Sequence, residues 1–216
     1  MMILREGFTA QDIPSEIKEQ ITGVSYKEND NIKLHDLSYL RVKHYDLTHT
    51  VREGELIVNR RLAEEVLEIF AELFDNEYEI EKIRLVDNYG ADDDLSMADN
   101  NSSAFNYRVV SGTQTVSAHG YGRAIDINPL YNPYIVGDKI MPPNGAPYAD
   151  RSKQFPYKID ENDLCYKVFT RRGWRWGGHW KTQKDYQHFY KERKHPVRTV
   201  IRRIRQINSN ETGQNV

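Results

Sequence analysis

Residues 117–126 read Ser-Ala-His-Gly-Tyr-Gly-Arg-Ala-Ile-Asp, a histidine and a carboxylate joined by a turn that two glycines interrupt. Glycine adopts positive φ at no steric cost, so this composition predicts a tight reversal directly beside His119. After the turn, residues 124–128 alternate between isoleucine and small or polar side chains, which is the period of a β-strand. The pattern therefore places Asp126 on the polar face of a strand whose other face is apolar.

A second stretch, residues 185–188, reads Asp-Tyr-Gln-His. His119 and Asp126 alone are compatible with a hydrogen-bonded structural pair. A second histidine completes two imidazoles and one carboxylate, which is a ligand set of catalytic zinc sites. The additional carboxylate of Asp185 supplies a candidate general base.

Together these motifs resemble the VanY-like zinc peptidases, the family of D-alanyl-D-alanine carboxypeptidases and L-alanyl-D-glutamate endopeptidases. The shared pattern is S-x-H-x-x-G-x-A-x-D followed downstream by D-x-x-H-F. The resemblance extends from about Leu37 to His188 through flanking phrases at residues 54–59, 96–97, 100–108, 125–129 and 176–178.

The resemblance implies that His119, Asp126 and His188 hold one zinc ion per chain and leave a fourth coordination position open. It assigns Asp185 the role of general base, which takes a proton from water and passes it to the leaving amine.

Two more roles are carried over from the family. Arg108 is expected to face the substrate, where a guanidinium can bind a carboxylate or a developing oxyanion. Ser117 is expected to form a hydrogen bond with the substrate. One position departs from many relatives, which carry an acidic residue where this chain has Tyr190; loss of an orienting carboxylate would affect the tautomer of His188 or the metal affinity.

The implied activity is hydrolysis of a D-residue-containing peptide bond in peptidoglycan stem peptides. The flanking phrases favour a D-alanyl-D-alanine carboxypeptidase. An endopeptidase and a non-catalytic cell-wall-binding protein on the same scaffold remain as alternatives. Such a substrate implies a location in the cell envelope or outside the cell.

Composition restricts the other classes of function. A chain of 216 residues is long enough for one well-buried domain, and a net charge of −2 gives no reason to expect a nucleic-acid partner. Cys165 is the only cysteine, which excludes an internal disulfide, and its apolar register predicts a buried side chain. No apolar run approaches the ~20 residues of a membrane span, and residues 1–20 lack the apolar core of a secretory signal. We expect a monomer.

The fold expected from these patterns and from the resemblance is α+β, of the Hedgehog/DD-peptidase-like type. Helices would pack on a small, mainly antiparallel sheet that carries the zinc site. We divide the chain into an N-terminal extension (1–36), a zinc peptidase domain (37–196) and a basic, then polar, C-terminal tail (197–216).

Periodicity predicts the main elements of this fold. Helices are expected at 14–21, at 62–73 after an Asn59 cap, and at 164–169 between an Asp160 cap and Gly173. Strands are expected near 40–42, 56–58, 83–86, 105–110 and 124–128, and a long ordered loop at 129–156.

Two residue groups have a functional and a structural interpretation. The acidic run Asp92-Asp93-Asp94 lacks the donor spacing of a calcium loop, so a solvated loop is favoured. Trp174, Trp176 and Trp180 suit a sugar platform, but packing beneath the metal site is the favoured interpretation.

Overall fold

The computed structural model describes residues 1–110 and 113–193. The predicted tail at 197–216, with its basic face, lies outside the described residues. The described chain contains four α-helices: α1 (Ser15–Ile21), α2 (Ala63–Asp75), α3 (Asp93–Ala98) and α4 (Leu164–Arg171). It also contains twelve strands: β1 (Met2–Arg5), β2 (Phe8–Gln11), β3 (Leu37–Tyr45), β4 (Val51–Asn59), β5 (Lys82–Ile83), β6 (Asn101–Ser102), β7 (Ala124–Asp126), β8 (Tyr134–Val136), β9 (Lys139–Met141), β10 (Arg175–Trp176), β11 (Lys184–Asp185) and β12 (His188–Tyr190).

The largest sheet is antiparallel and has the order β1-β2-β3-β4. Strands β3 and β4 form its long hairpin, in which Leu40 lies opposite Leu56. One apolar side of helix α2 covers this sheet, because Val66 and Phe70, one turn apart, are both buried in the same core. The strand pair and the helix therefore form as their sequence periods predict.

The N-terminal segment is joined to this sheet. Strand β2 pairs with β3, with Ala10 opposite Leu40, and the predicted helix is present as α1. Its Ile17 and Ile21 pack with Leu37 in a second core cluster. Residues 1–36, expected to form an extension, thus contribute two unpredicted strands to the main sheet.

A second, three-stranded sheet carries the candidate site, in the order β10-β12-β7. Its apolar face includes Ile125 and Phe189, both fully buried and directly opposite each other. The Phe189 ring stacks on Phe169 of α4 with centroids 4.4 Å apart. This packing fixes the sheet against the core and leaves its other face to the polar side chains.

The small antiparallel sheet expected to carry the site is present as β10-β12-β7, and it is one of several sheets. The described residues contain the four-stranded sheet, the site sheet, a third sheet of order β11-β8-β9 and a parallel pair of β5 with β6. The hairpin β8–β9 lies within the segment that was expected to be a loop, and it joins β11 rather than the site sheet. The α+β class itself is confirmed.

Three local predictions also differ from the structure. Residues 105–110 form no regular strand, since their backbone partners lie in separate segments such as Ser25, which accepts from Tyr107 N at 2.8 Å. Only the beginning of 83–86 is extended, as part of β5. Helix α4 is capped by Asp163, whose Oδ1 accepts from Cys165 N at 2.8 Å, and not by Asp160.

Within the described residues, no helix combines the length and the apolar character that crossing a bilayer requires.

Candidate metal centre

Strands β7 and β12 bring the first two polar side chains together. Asp126 and His188 are direct antiparallel partners, so their side chains leave the same face of the site sheet. The distance from His188 Nδ1 to Asp126 Oδ1 is 2.8 Å. A pairing shifted by one residue would place one of them in the apolar core instead.

His119 reaches the same point from the turn that precedes β7. The residue lies in a short 3₁₀ turn, His119–Tyr121, which Gly122 ends with φ of +62°. Gly122 also makes a close approach to the main sheet: an added Cβ would lie 2.5 Å from the backbone nitrogen of Asn59. Both its backbone conformation and this contact require glycine, as the sequence pattern predicts.

The His119 ring is oriented by a backbone carbonyl. Its Nδ1 lies 2.5 Å from the carbonyl oxygen of Ala104. A proton on Nδ1 donates to that oxygen and leaves Nε2 as the lone-pair nitrogen. Nε2 lies 3.2 Å from Asp126 Oδ2 and 3.1 Å from His188 Nδ1.

The three side chains are enclosed and share one carboxylate charge. Burial opposes ionisation of Asp126, but the charges of His119 and His188 and their hydrogen bonds hold its pKa well below the usual range. Burial also disfavours protonation of both imidazoles. It lowers the pKa of His188, whereas the Asp126 carboxylate outweighs burial and raises the pKa of His119.

This donor set fits a divalent cation. Ligand atoms of His119, Asp126 and His188 all lie within 4.8 Å of one another. Two facing imidazole nitrogens and a carboxylate all present lone pairs to one another unless a nitrogen carries a proton. A cation between them would accept all three lone pairs. Two nitrogens and one oxygen are donors that zinc accepts.

Asp185 lies beside the cluster on β11 and is not one of the converging ligands. Its Oδ1 is buried, and no described residue forms a hydrogen bond with it. Burial, followed by the nearby Asp126 carboxylate, raises the pKa of Asp185 well above the ordinary value. Gly177 permits this approach, since an added Cβ would lie 2.6 Å from the Asp185 carbonyl oxygen.

Arg108 and Ser117, the two residues expected to contact the substrate, differ in their surroundings. Arg108 is 42% exposed and forms an ion pair with Asp93 through Nε. Ser117 is buried, and its Oγ accepts from the backbone nitrogen of Gly120 at 3.1 Å. The serine hydroxyl therefore stabilises the turn that carries His119, and its expected contact with substrate stays a prediction.

Two aromatic residues that the sequence analysis singled out, Trp180 and Tyr190, pack against His188, a contact that it did not predict. The ring of Tyr190 stacks on His188 with centroids 5.5 Å apart, and the Trp180 ring lies 5.4 Å from it. Trp180 Nε1 donates to the Tyr190 hydroxyl at 3.2 Å. Tyr190 thus supports the His188 ring by stacking. Residues two apart on a strand share a face, so the sequence could have indicated this contact.

The remaining candidates lie outside the cluster. Trp174 and Trp176 are buried, as the packing interpretation expects. His179 lies 2.9 Å from Glu161, away from the three converging ligands. Cys165 is fully buried.

Comparison with known proteins identifies the family pattern. Residues 111–191 match the family model described as D-alanyl-D-alanine carboxypeptidase, of the VanY-like M15 peptidases. The matched stretch contains the three clustered ligands and Asp185, whereas Arg108 precedes it. The resemblance to VanY-like peptidases is thereby confirmed over these residues. Neither the curated proteins nor the solved structures gave a match.

Proposed function

On the strength of that family match, we propose that the protein is a zinc-dependent peptidase of the cell envelope or the extracellular space. Its substrate is a peptidoglycan stem peptide, and its reaction is the removal of the terminal residue from D-alanyl-D-alanine. The observation that carries the proposal is the convergence of His119, Asp126 and His188 beside Asp185, whose buried Oδ1 has no hydrogen-bond partner among the described residues, all within the family-matched stretch.

The chain's own residues have distinct tasks in this reaction. His119, Asp126 and His188 would hold the zinc. When bound, zinc supplies a Lewis acid that polarises a peptide carbonyl and acidifies water. Asp185 takes up a proton and delivers it to the leaving amine nitrogen. Burial and the Asp126 charge strengthen its affinity for the proton, as its raised pKa indicates.

Arg108 is assigned to the acidic group of the substrate. The positive charge of its guanidinium counteracts the effect of burial on the pKa of Asp185 and contributes to lowering the pKa of both histidines. Arg108 is therefore close enough to affect the protonation of the cluster. In a carboxypeptidase it binds the free terminal carboxylate with two parallel hydrogen bonds. Lysine cannot reproduce that planar geometry, so Arg108→Lys should raise KM roughly tenfold or more, the equivalent of about one charge-assisted hydrogen bond.

The deciding experiment compares two substrates in the presence of zinc. One is a stem peptide ending in D-Ala-D-Ala, and the other is the same peptide as its C-terminal amide. A carboxypeptidase cleaves the first far faster, because only that peptide offers a terminal carboxylate to Arg108. Removal of zinc by a chelator should abolish cleavage, and adding zinc back should restore it.

Other outcomes identify the alternatives. Equal rates on the two peptides contradict the carboxypeptidase. Cleavage of an internal L-alanyl-D-glutamate bond would establish the endopeptidase instead, with Arg108 acting on the oxyanion and its loss reducing kcat. If the protein binds peptidoglycan but cleaves neither peptide nor intact wall, it is a non-catalytic wall-binding protein.

A further inference from the structure

Asp93, the first residue of α3, connects this helix to the segment that carries Arg108. Its carboxylate forms an ion pair with Arg108 Nε through Oδ2. Its other oxygen, Oδ1, accepts from Asn106 Nδ2 at 2.9 Å. Both oxygens are therefore engaged by side chains of one short segment, and Asp93 is not merely part of a solvated acidic run.

The Asn106 side chain keeps Asp93 in place. It is 5% exposed, and its Nδ2 also donates to the carbonyl oxygen of Ala91 at 3.1 Å. Since this segment has no regular strand pairing, such side-chain contacts position it together with single backbone bonds, such as that from Tyr107 N to Ser25 O. Asp93 is thus a fixed carboxylate beside a long, half-exposed cation.

The contact through Nε has a geometric consequence for Arg108. A guanidinium carries five N–H donors in a planar fork. Asp93 lies closest to Nε, as an ion pair, and within the described residues Nη1 and Nη2 have no hydrogen-bond partner. The two terminal nitrogens are the pair that recognises a carboxylate with two parallel bonds. A guanidinium that is already oriented loses less side-chain entropy when a ligand binds.

We infer that Asp93 is a positioning residue, whose ion pair on the Nε side of Arg108 leaves the two terminal nitrogens to meet the acidic group of the substrate. This inference rests on the proposed function, because it needs Arg108 to contact the substrate. Asp93 itself touches Arg108 and Asn106 and takes no part in the chemical step.

A purely structural role makes a different prediction. Acidic residues in the first turn of a helix interact favourably with its dipole, and Asp93 shares that position with Asp94. Asp94 is exposed and makes no ion pair or side-chain hydrogen bond among the described residues. Asp94→Asn therefore removes the same charge from the same helix end without affecting Arg108, and it is the matched control.

The test measures kcat and KM of the full-length, zinc-loaded protein on the stem peptide. We expect Asp93→Ala to lower kcat/KM by about 10–100-fold, the cost of a misplaced binding group. Asp93→Asn, which keeps the shape of the side chain but not the charge of the ion pair, should fall between the wild type and Asp93→Ala. Asp94→Asn should stay within about twofold of the wild type, as a surface charge change does. Because Asp93 acts through Arg108, Asp93→Ala should add little to the loss already caused by Arg108→Ala.

A second measurement is independent of turnover. In the ¹⁵N-labelled protein, the Nε signal of Arg108, assigned by its absence from Arg108→Lys, reports the charge beside the guanidinium. It should keep its position in Asp94→Asn and shift in Asp93→Ala. If even the wild type cleaves no peptide, the proposed function fails, while this signal still shows whether Asp93 holds Arg108. An Nε signal that keeps its position in Asp93→Ala, or an unchanged kcat/KM in that variant, overturns the inference.

Discussion

Replacing Asp185 by asparagine separates proton transfer from metal binding. The substitution preserves the shape of the side chain but removes its ability to accept a proton. We expect kcat to fall by about 10²–10⁴-fold, the usual contribution of a general base, which raises the barrier by roughly 3–5.5 kcal/mol. Zinc content should be unchanged, since Asp185 is not one of the converging ligands.

The same substitution should leave the fold intact. Asp185 Oδ1 is buried without a hydrogen-bond partner among the described residues, so no native contact to that oxygen is lost. The metal-free variant should be at least as stable as the metal-free wild type, because an amide carries no ionisation cost in this buried position.

The assay combines single-turnover kinetics, elemental analysis of zinc and thermal unfolding of the metal-free protein. Loss of zinc in Asp185→Asn would make the residue a ligand, and unchanged turnover would remove it from the mechanism. Either result would refute the division of tasks proposed for the four side chains.

Two further predictions concern the residues around the site and the stability of the fold. Gly177→Ala should reduce activity and destabilise the protein by about 1–3 kcal/mol, because the new Cβ must displace the β11 backbone. Gly173→Ala is the control. Its φ of +78° makes the substitution strained and destabilising, but the space around it is open, so turnover should stay unchanged. Burial raises the pKa of Asp163 to about 6, so its contribution to stability is fully present below about pH 4, the unfolded pKa, and is lost as the pH rises through about 6. Asp163→Asn, which retains the helix cap, should therefore be about 1–3 kcal/mol more stable than the wild type at pH 8 and lose that advantage at pH 4. Chemical denaturation at the two pH values measures it, and an equal gain at both would contradict the ionisation argument.

The longest elements that the sequence predicted are those in which one period continues for several turns or pairs. Helix α2 and strands β3 and β4 meet this condition, and each buries the face that its pattern indicates. Residues 105–110 alternate equally well, but the segment is positioned by single contacts such as Ser117 N to Arg108 O, at 2.9 Å. Alternation indicates which side chains share a face, and it does not show whether a partner strand is present.

The site shows the same limits. The spacing of residues 117–126 predicted the turn and the strand, and the resemblance indicated which histidine from the second motif would join them. The stacking of Tyr190 on His188 depends on the pairing of β12 with β7, which involves residues more than sixty positions apart. Likewise, Asp163 and Asp160 are both suitable caps by composition, but Asp160 Oδ1 accepts from Asn162 N at 2.9 Å in the preceding turn.

Zinc binding tests the central claim most directly. Calorimetry and elemental analysis of the purified full-length protein should give one zinc ion per chain. His119→Ala and His188→Ala should each abolish binding, whereas His179→Ala, which changes a histidine outside the cluster, should retain it. Full zinc occupancy in either of the first two variants, or no zinc binding by the wild type, would contradict the assignment of the metal centre.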